Sequence, residues 1–379
     1  MKITDGYVLR NIQETYYLLP IGQNIATHKR GIQLNDTGVF LWNAIKQGAS
    51  KTDLLRLMVK RYDADLDDTL LLQADIESFI QKLTSLSILS DHINKETCTM
   101  YFKIGTIFIG YSGPEALIHP SLFTFCCNET LIDQHWIIKT SPSFPLPTGE
   151  LLIRTNELEV CKNNEYYNIT YFDNLQLPNV QISLDGTHAY FYCMSPFHSS
   201  LPESLFHSFR LAFLIIAQTK GTFALHSSSI LYENKAWLFA GSSGTGKSTH
   251  TTMWHNLYQT PVLNGDVNLI SIQNGLPIVW GTPWCGTSGI YTKQAYPLGG
   301  IILLKKSPKN EIHPLNKSEQ QLMVMQRFIS PTWTETLFDY NLTFSGDLMH
   351  LIPIFRFLCN KEPSAANTIK QYIDETLDY

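Results

Sequence analysis

The sequence predicts a protein of mixed α and β structure in three successive regions. These are a small β-β-β-α-α-α unit (1–92), a β-rich middle (93–200), and a C-terminal region built around a strand, a glycine loop and a helix (201–379). Three observations predict it. Apolar residues recur at helical spacing in the first ninety positions. Short apolar runs broken by Gly, Pro, Asn and Asp fill the middle. Ala236–Ser248 reads AWLFAGSSGTGKS, an apolar run leading directly into a phosphate-loop pattern.

In the first region Tyr7–Ile12 and Thr15–Gly22 are expected strands joined at Gln13-Glu14, and Gly31–Leu34 a third. Asn35 stands where a helix N-cap belongs, ahead of Thr37–Lys46 with Val39, Phe40, Trp42 and Ile45. Gly48 closes that helix. Ser50-Lys51-Thr52-Asp53 has capping-box form and opens a second, bearing Leu54, Leu55, Met58 and Val59. A third, Asp67–Leu86, puts Leu72, Ile76, Phe79, Ile80 and Leu83 on one stripe. The order is winged-helix-like, but a helix beginning Asp65, Asp67, Asp68 is the wrong charge for DNA phosphates.

In the middle, Met100–Phe102, Gly105–Gly110, His135–Lys139, Leu151–Arg154, Val180–Ser183 and Ala189–Cys193 predict an antiparallel β region. His119, His135, His188 and His198 are scattered and are assigned to packing or surface. Pro202–Thr219 is a helix with Leu205, Phe206, Phe209, Phe213 and Ile216 on one face.

Gly241, Ser242, Ser243, Gly244, Thr245, Gly246, Lys247 and Ser248 fit G-x-x-x-x-G-K-[ST] at every fixed position, with Thr249 opening the helix. Glycines let consecutive N–H groups curl round a phosphate, and the helix N-terminus adds its positive end. The pattern implies a nucleoside triphosphate, ATP by expectation, with Lys247 on the β/γ-phosphates and Ser248 on Mg²⁺. Around it lie Leu225-His226-Ser227-Ser228-Ser229, the strand Pro261–Ile272 interrupted at Asn264-Gly265-Asp266, and the loop Val279–Gly289. An acid at a strand end suits a second Mg²⁺ ligand, so Asp266 is that candidate. Trp284 and Cys285 are assigned to loop packing. Lys293, Lys305, Lys306 and Arg327 are either phosphate or acceptor contacts or solvated charges.

With 379 residues, 44% hydrophobic and 16% charged, the chain can bury a sizeable core. A net charge of −5 gives no footprint for nucleic acid or an anionic membrane. The N-terminus lacks a signal-peptide apolar segment, and the longest apolar run, Leu211–Ala217, is too short to span a bilayer. Seven cysteines without C-x-x-C spacing suit reduced thiols, so a cytoplasmic protein is expected.

Gly6–Leu89 resembles the PqqD-like family, on "IQLNDTG" after a strand, "RYDAD" before the last helix and "LTSLSILS" at its end. That resemblance implies recognition of the leader of a ribosomally synthesised precursor peptide. The leader would add a strand along Gly31, Ile32, Gln33 and Leu34 and pack on the helix bearing Leu72, Ile76 and Phe79. Pro202–Ile373 resembles the HPr kinase-like family, related to phosphoenolpyruvate carboxykinases, on "LHSSSI", "GSSGTGKSTH", "LNGDVNLI", "GTPWCG" and "LIPIFRFLCN" in family order. This implies a mixed sheet flanked by helices and ATP-dependent phosphorylation of a peptide hydroxyl. His226 would lie beside the transferred group, with Lys247 and Asp266 completing the catalytic set. A homo-oligomer is also implied. One departure matters: the family carries two adjacent aspartates where this chain has Gly265-Asp266, so the usual base is missing. His226, Asp266 or neither fills that role. Two other outcomes stay open, a peptide activator working through a phosphorylated intermediate and a non-catalytic ATP-gated presenter of peptide.

Overall fold

A computed structural model of the chain describes residues 2–3, 6–26, 31–49, 51–63, 66–86, 88–90, 98–140 and 148–377. They divide into two units, Met1–Cys98 with Thr130–Asp133, and Thr99–Glu129 with Gln134–Tyr379. The predicted capping box at Ser50 lies outside the described residues. Among the described residues no helix is long and apolar enough to cross a membrane.

The first unit runs β1 (Lys2–Ile3), β2 (Tyr7–Ile12), β3 (Thr15–Pro20), α1 (Gln23–Ala26), β4 (Ile32–Leu34), α2 (Asp36–Lys46), α3 (Lys51–Tyr62), α4 (Leu66–Ser85) and β5 (Leu89–Ser90). Strands β2, β3 and β4 form an antiparallel sheet with β4 at one edge, and β1 pairs with β5. Gln13 and Glu14 turn the β2–β3 hairpin at φ 49° and 63°. Both take the left-handed conformation that matches strand twist without the usual Asn-Gly. Asn35 accepts the Gly38 N–H at 2.8 Å and caps α2, an interaction worth about 1 kcal/mol. Leu18, Leu41, Ile45, Leu54, Met58, Ile80 and Leu83 bury the sheet against the helices.

The second unit starts with β6 (Met100–Ile104), β7 (Ile107–Ser112), α5 (Pro120–Phe123), β8 (Gln134–Thr140), β9 (Glu150–Arg154), β10 (Leu158–Lys162), β11 (Tyr166–Tyr171), β12 (Asn179–Ser183) and β13 (His188–Cys193). The eight strands form one sheet in the order β6-β7-β8-β13-β12-β11-β10-β9. It is not antiparallel throughout, as the sequence suggests. Strand β8 pairs in parallel with both neighbours, because long connections bring β7 and β13 to its two sides. Strands β10 and β11 escape the sequence reading, since Glu, Lys and Asn interrupt their apolar positions.

Helix α6 (Leu201–Thr219) supplies the core of this sheet: Phe209 stacks on Trp136 at 4.4 Å and meets Phe191 edge-on at 4.7 Å. Then come β14 (Thr222–Tyr232), β15 (Lys235–Ala240), α7 (Lys247–Tyr258), β16 (Val262–Asn264), β17 (Val267–Gln273), β18 (Leu276–Trp280), β19 (Ala295–Lys306), β20 (Glu311–Pro314), α8 (Lys317–Met325), α9 (Glu335–Leu348), β21 (Ile354–Cys359) and α10 (Pro363–Leu377). Their sheet is mixed, in the order β15-β14-β17-β18-β19-β21-β20, with β16 on β14. Strand β15 also pairs in parallel with β19, so the sheet closes on itself. Closure requires β19 to pass under Trp237. A Cβ on Gly299 would fall 2.5 Å from that indole and one on Gly300 2.7 Å, which only glycine avoids.

Helix α7 packs His250 against Phe239 and Phe357. Burial pushes the His250 imidazole down from the ordinary 6.5 to about 4, so the folded state holds it neutral. The unfolded chain binds that proton near 6.5, so this contribution to stability is complete above pH 6.5 and is lost as pH falls towards 4. The slope is up to ~1.4 kcal/mol per pH unit. His250→Phe is expected to flatten the stability–pH curve across that window, read from urea midpoints.

Candidate active site

The site forms at the middle of β14, which lies between β17 and β15 and also pairs with β16. Through Thr222–His226 it pairs with β17, ending at His226 opposite Val267. Through Ser227–Tyr232 it pairs with β15, starting at Ser227 opposite Ala240. His226 therefore sits between the residue that precedes β17, Asp266, and the residue that follows β15, Gly241. Two backbone bonds fix the crossing: Ser227 N–H donates to the Asp266 carbonyl and His226 N–H to the Arg327 carbonyl, both at 2.9 Å. The side chains meet as well, with His226 Nε2 3.1 Å from Asp266 Oδ1.

The Asn264-Gly265-Asp266 turn is held from below. Wholly buried Asn264 accepts N–H bonds from Asp266 (3.1 Å) and Val267 (3.2 Å) and donates to the Thr282 carbonyl at 3.1 Å. Ser228 Oγ donates to the Gly265 carbonyl at 2.7 Å. Ser229 Oγ donates to Asn268 Oδ1 at 2.7 Å, and Asn268 Nδ2 donates to the Ser227 carbonyl at 2.7 Å. Every one of these side chains is buried, and the partners satisfy one another. The loop after β18 closes over the turn. Trp284 Nε1–H donates to the Phe206 carbonyl at 3.0 Å, and its ring lies 5.1 Å from that of Phe213.

The glycine loop connects β15 to α7. Gly244 (φ 73°) and Gly246 (φ 106°) take left-handed conformations, and Gly246 caps α7 with no side-chain hydrogen bond. The α7 N-terminus is thus left to an external acceptor. Ser242, Ser243, Gly244, Ser248 and Thr249 are exposed and Thr245 is half-buried, with its Oγ1 on the Ser242 carbonyl at 2.8 Å. Lys247 is buried, its Nζ donating to the Gly241 carbonyl at 3.2 Å. Burial pulls its pKa down, and Arg327 adds to that while Asp266 opposes it. Asp266 itself is held below the usual carboxylate range by the His226 hydrogen bond, with Arg210 and Lys247 acting in the same direction against burial. Asp266 is thus ionised near neutral pH, and a buried ammonium with one carbonyl partner faces the loop. Both fit an anion carrying a divalent cation. Among the described residues no cluster of three or more His, Cys, Asp and Glu side chains exists, so a cation beside Asp266 would draw its other oxygens from Ser248 and a ligand.

The structure thus brings His226, Asp266, Lys247 and Gly241–Ser248 together, and adds Arg327 through its carbonyl. Lys293, Lys305 and Lys306 are exposed. Trp284 and Cys285 are packed, and burial pushes the Cys285 thiol up, away from nucleophilic character. In the first unit Gly31 and Gln33 are exposed and Ile32, Leu72 and Phe79 are half-buried, while Leu34 and Ile76 belong to that unit's own core. Arg210, Asn264 and Asn268 were not singled out by sequence. The one signal for Arg210 is a cation at i+4 from Phe206 and i−3 from Phe213, inside an apolar stripe.

Residues 18–89 match the family model for PqqD, described as coenzyme PQQ synthesis protein D. The N-terminal segment carries a PqqD domain. No curated protein matches the chain. Among solved structures, the Hpr(Ser) kinase/phosphatase from Coxiella burnetii matches at 9% identity and a TM-score of 0.24, over 41% of this chain and 94% of that one. At that TM-score the chemistry of the site has to be argued from its own residues.

Gly265 is sterically required. A Cβ there would lie 2.0 Å from Ser288 Oγ and 2.5 Å from Ser288 Cβ. Gly265→Ala is therefore expected to destabilise the chain by about 1–3 kcal/mol, and Ser288→Gly in the same chain to restore most of it. A double-mutant cycle of denaturant midpoints measures the coupling.

Proposed function

We propose that this chain is an ATP-dependent kinase that phosphorylates a Ser or Thr hydroxyl of a ribosomally synthesised precursor peptide, whose leader is held by the N-terminal PqqD domain. The observation that carries the reading is the His226–Asp266 contact at 3.1 Å, set between the glycine loop and the buried Lys247. A PqqD domain supports a peptide partner. Capturing the leader on the same chain raises the local concentration of the acceptor segment at the site.

In this reading Gly241–Ser248 cradle the triphosphate, Lys247 exchanges its carbonyl partner for the β/γ-phosphates, and Ser248 and Asp266 hold Mg²⁺. Mg²⁺ when bound supplies neutralisation of phosphate charge. With Nε2–H donated to Asp266, Nδ1 is the ring nitrogen of His226 that would accept a proton. The acceptor hydroxyl gives its proton to Nδ1 as its oxygen bonds to the γ-phosphorus. The bond from that phosphorus to the bridging oxygen breaks, and ADP leaves with the electron pair. This assigns the base to His226 and leaves Asp266 ionised throughout. Gly265 favours a second reading, the non-catalytic presenter, because the turn offers no second carboxylate.

Intact-mass analysis of a precursor peptide encoded beside this chain, incubated with protein, ATP and Mg²⁺, tests the proposal. A gain of about 80 Da, one HPO₃ on a hydroxyl, is expected and should require the leader. Lys247→Ala should abolish it. His226→Ala should lower kcat by about 10²–10⁴-fold with the KM for ATP little changed. Unchanged peptide mass, with the peptide still bound through the first unit, would overturn the kinase in favour of the presenter.

A further inference from the structure

We propose that Arg210 forms an oxyanion subsite beside Asp266, separate from the glycine loop. Helix α6 carries Phe206, Arg210 and Phe213 at i, i+4 and i+7, on one face. Phe206 and Phe213 both border Trp284, at 6.0 and 5.1 Å between rings, and the Phe206 carbonyl accepts the Trp284 indole N–H. Trp284 leads into Cys285-Gly286, and Gly286 lies on Asp266: a Cβ there would be 3.0 Å from the carboxyl carbon. The face of α6 that grips this loop thus brings the Arg210 side chain to the Asp266 side of the site. Tyr171, the other titratable group that acts on Arg210, is kept in its neutral form by burial and its hydroxyl is bonded to Ser208 at 2.9 Å.

Arg210 is half-buried. Among the described residues its guanidinium makes no hydrogen bond and no ion pair within 4.0 Å. A guanidinium has five N–H donors in a planar fork that matches two oxygens of a phosphoryl or carboxylate group. Withdrawing it from water without such a partner costs free energy, and Asp266 acts on it only from beyond ion-pair distance. Arg210 is therefore complemented by an oxyanion from outside the chain. The shared chemistry is a phosphoryl group on the acceptor after transfer, or a carboxylate of the acceptor peptide. The inference rests on the phosphoryl-transfer reading only in taking the glycine loop as the place of ADP.

The experiment titrates inorganic phosphate and, separately, acetate into the full chain by calorimetry, with Mg²⁺ and ADP saturating. The wild type is expected to bind one of these anions, and Arg210→Gln to weaken that binding at least tenfold while ADP affinity stays within twofold. Arg210→Lys, which keeps charge but loses the fork, should fall between, and it carries the test if Arg210→Gln melts early. Dependence seen with phosphate assigns a phosphoryl ligand, and with acetate a carboxylate. Should ADP fail to bind, the titration is repeated on the free protein. Loss in Arg210→Gln but not in Lys247→Ala then upholds the subsite while the kinase reading falls. Wild type that binds neither anion, or binding indifferent to Arg210→Gln, overturns the proposal.

Discussion

Strand β14 lies between β17 and β15, and at His226 and Ser227 the β17 ladder ends on one side as the β15 ladder begins on the other; that stagger fixes the whole site. Strand pairing sets neighbouring backbones about 5 Å apart. A residue at such a junction is therefore within side-chain reach of whatever ends one partner and begins the other. Here those are the acid turn and the glycine loop. The junction also interrupts the regular ladder, and a buried interruption must be satisfied group by group. Ser227, Ser228, Ser229, Asn264 and Asn268 do this together, so the acid turn cannot shift without breaking several bonds at once. Networks of this kind rigidify when complete and are costly when one member is lost.

Charge follows from the same arrangement. The chain has a net charge of −5, yet Arg210 and Lys247 both act on Asp266, a carboxylate already bonded to His226, and Arg327 acts on Lys247. Burial removes part of the water around Lys247 and Arg210 and disfavours the charged form of both, while Asp266 acts on each in the opposite direction.

Legibility in the sequence tracks how local the cause is. The Gly241–Ser248 loop, the Asn35 cap and the α6 stripe were readable because each depends on residues within a few positions of one another. The parallel pairing of β8 with β7 and β13 was not, since its register is set by segments dozens of residues apart and by the tertiary placement of α6. The single long strand β14 is not legible as one strand, because its polar centre, His226-Ser227-Ser228-Ser229, has no apolar alternation to declare it. Those hydroxyls are buried only because Asn264 and Asn268 arrive from elsewhere. Arg210 was hidden for a related reason: one cation in an apolar helix face looks like a solvated side chain until the loop it borders is known.

Gly265 shows how a single sequence difference can belong to a larger arrangement. Read alone, it is the absence of a carboxylate. In the fold, the space its side chain would fill is taken by Ser288, whose Oγ donates to the Cys285 carbonyl at 2.7 Å and accepts the Ile290 N–H at 3.2 Å. Gly265 N–H in turn donates to the Ile290 carbonyl at 3.2 Å. The loop therefore closes on the acid turn because residue 265 lacks a side chain, and a carboxylate restored there would have to displace the loop first. Asp266, ionised, turns instead to His226, whose position is set twice over: its backbone N–H donates to the Arg327 carbonyl at 2.9 Å, and its Nε2 lies 3.1 Å from Asp266 Oδ1.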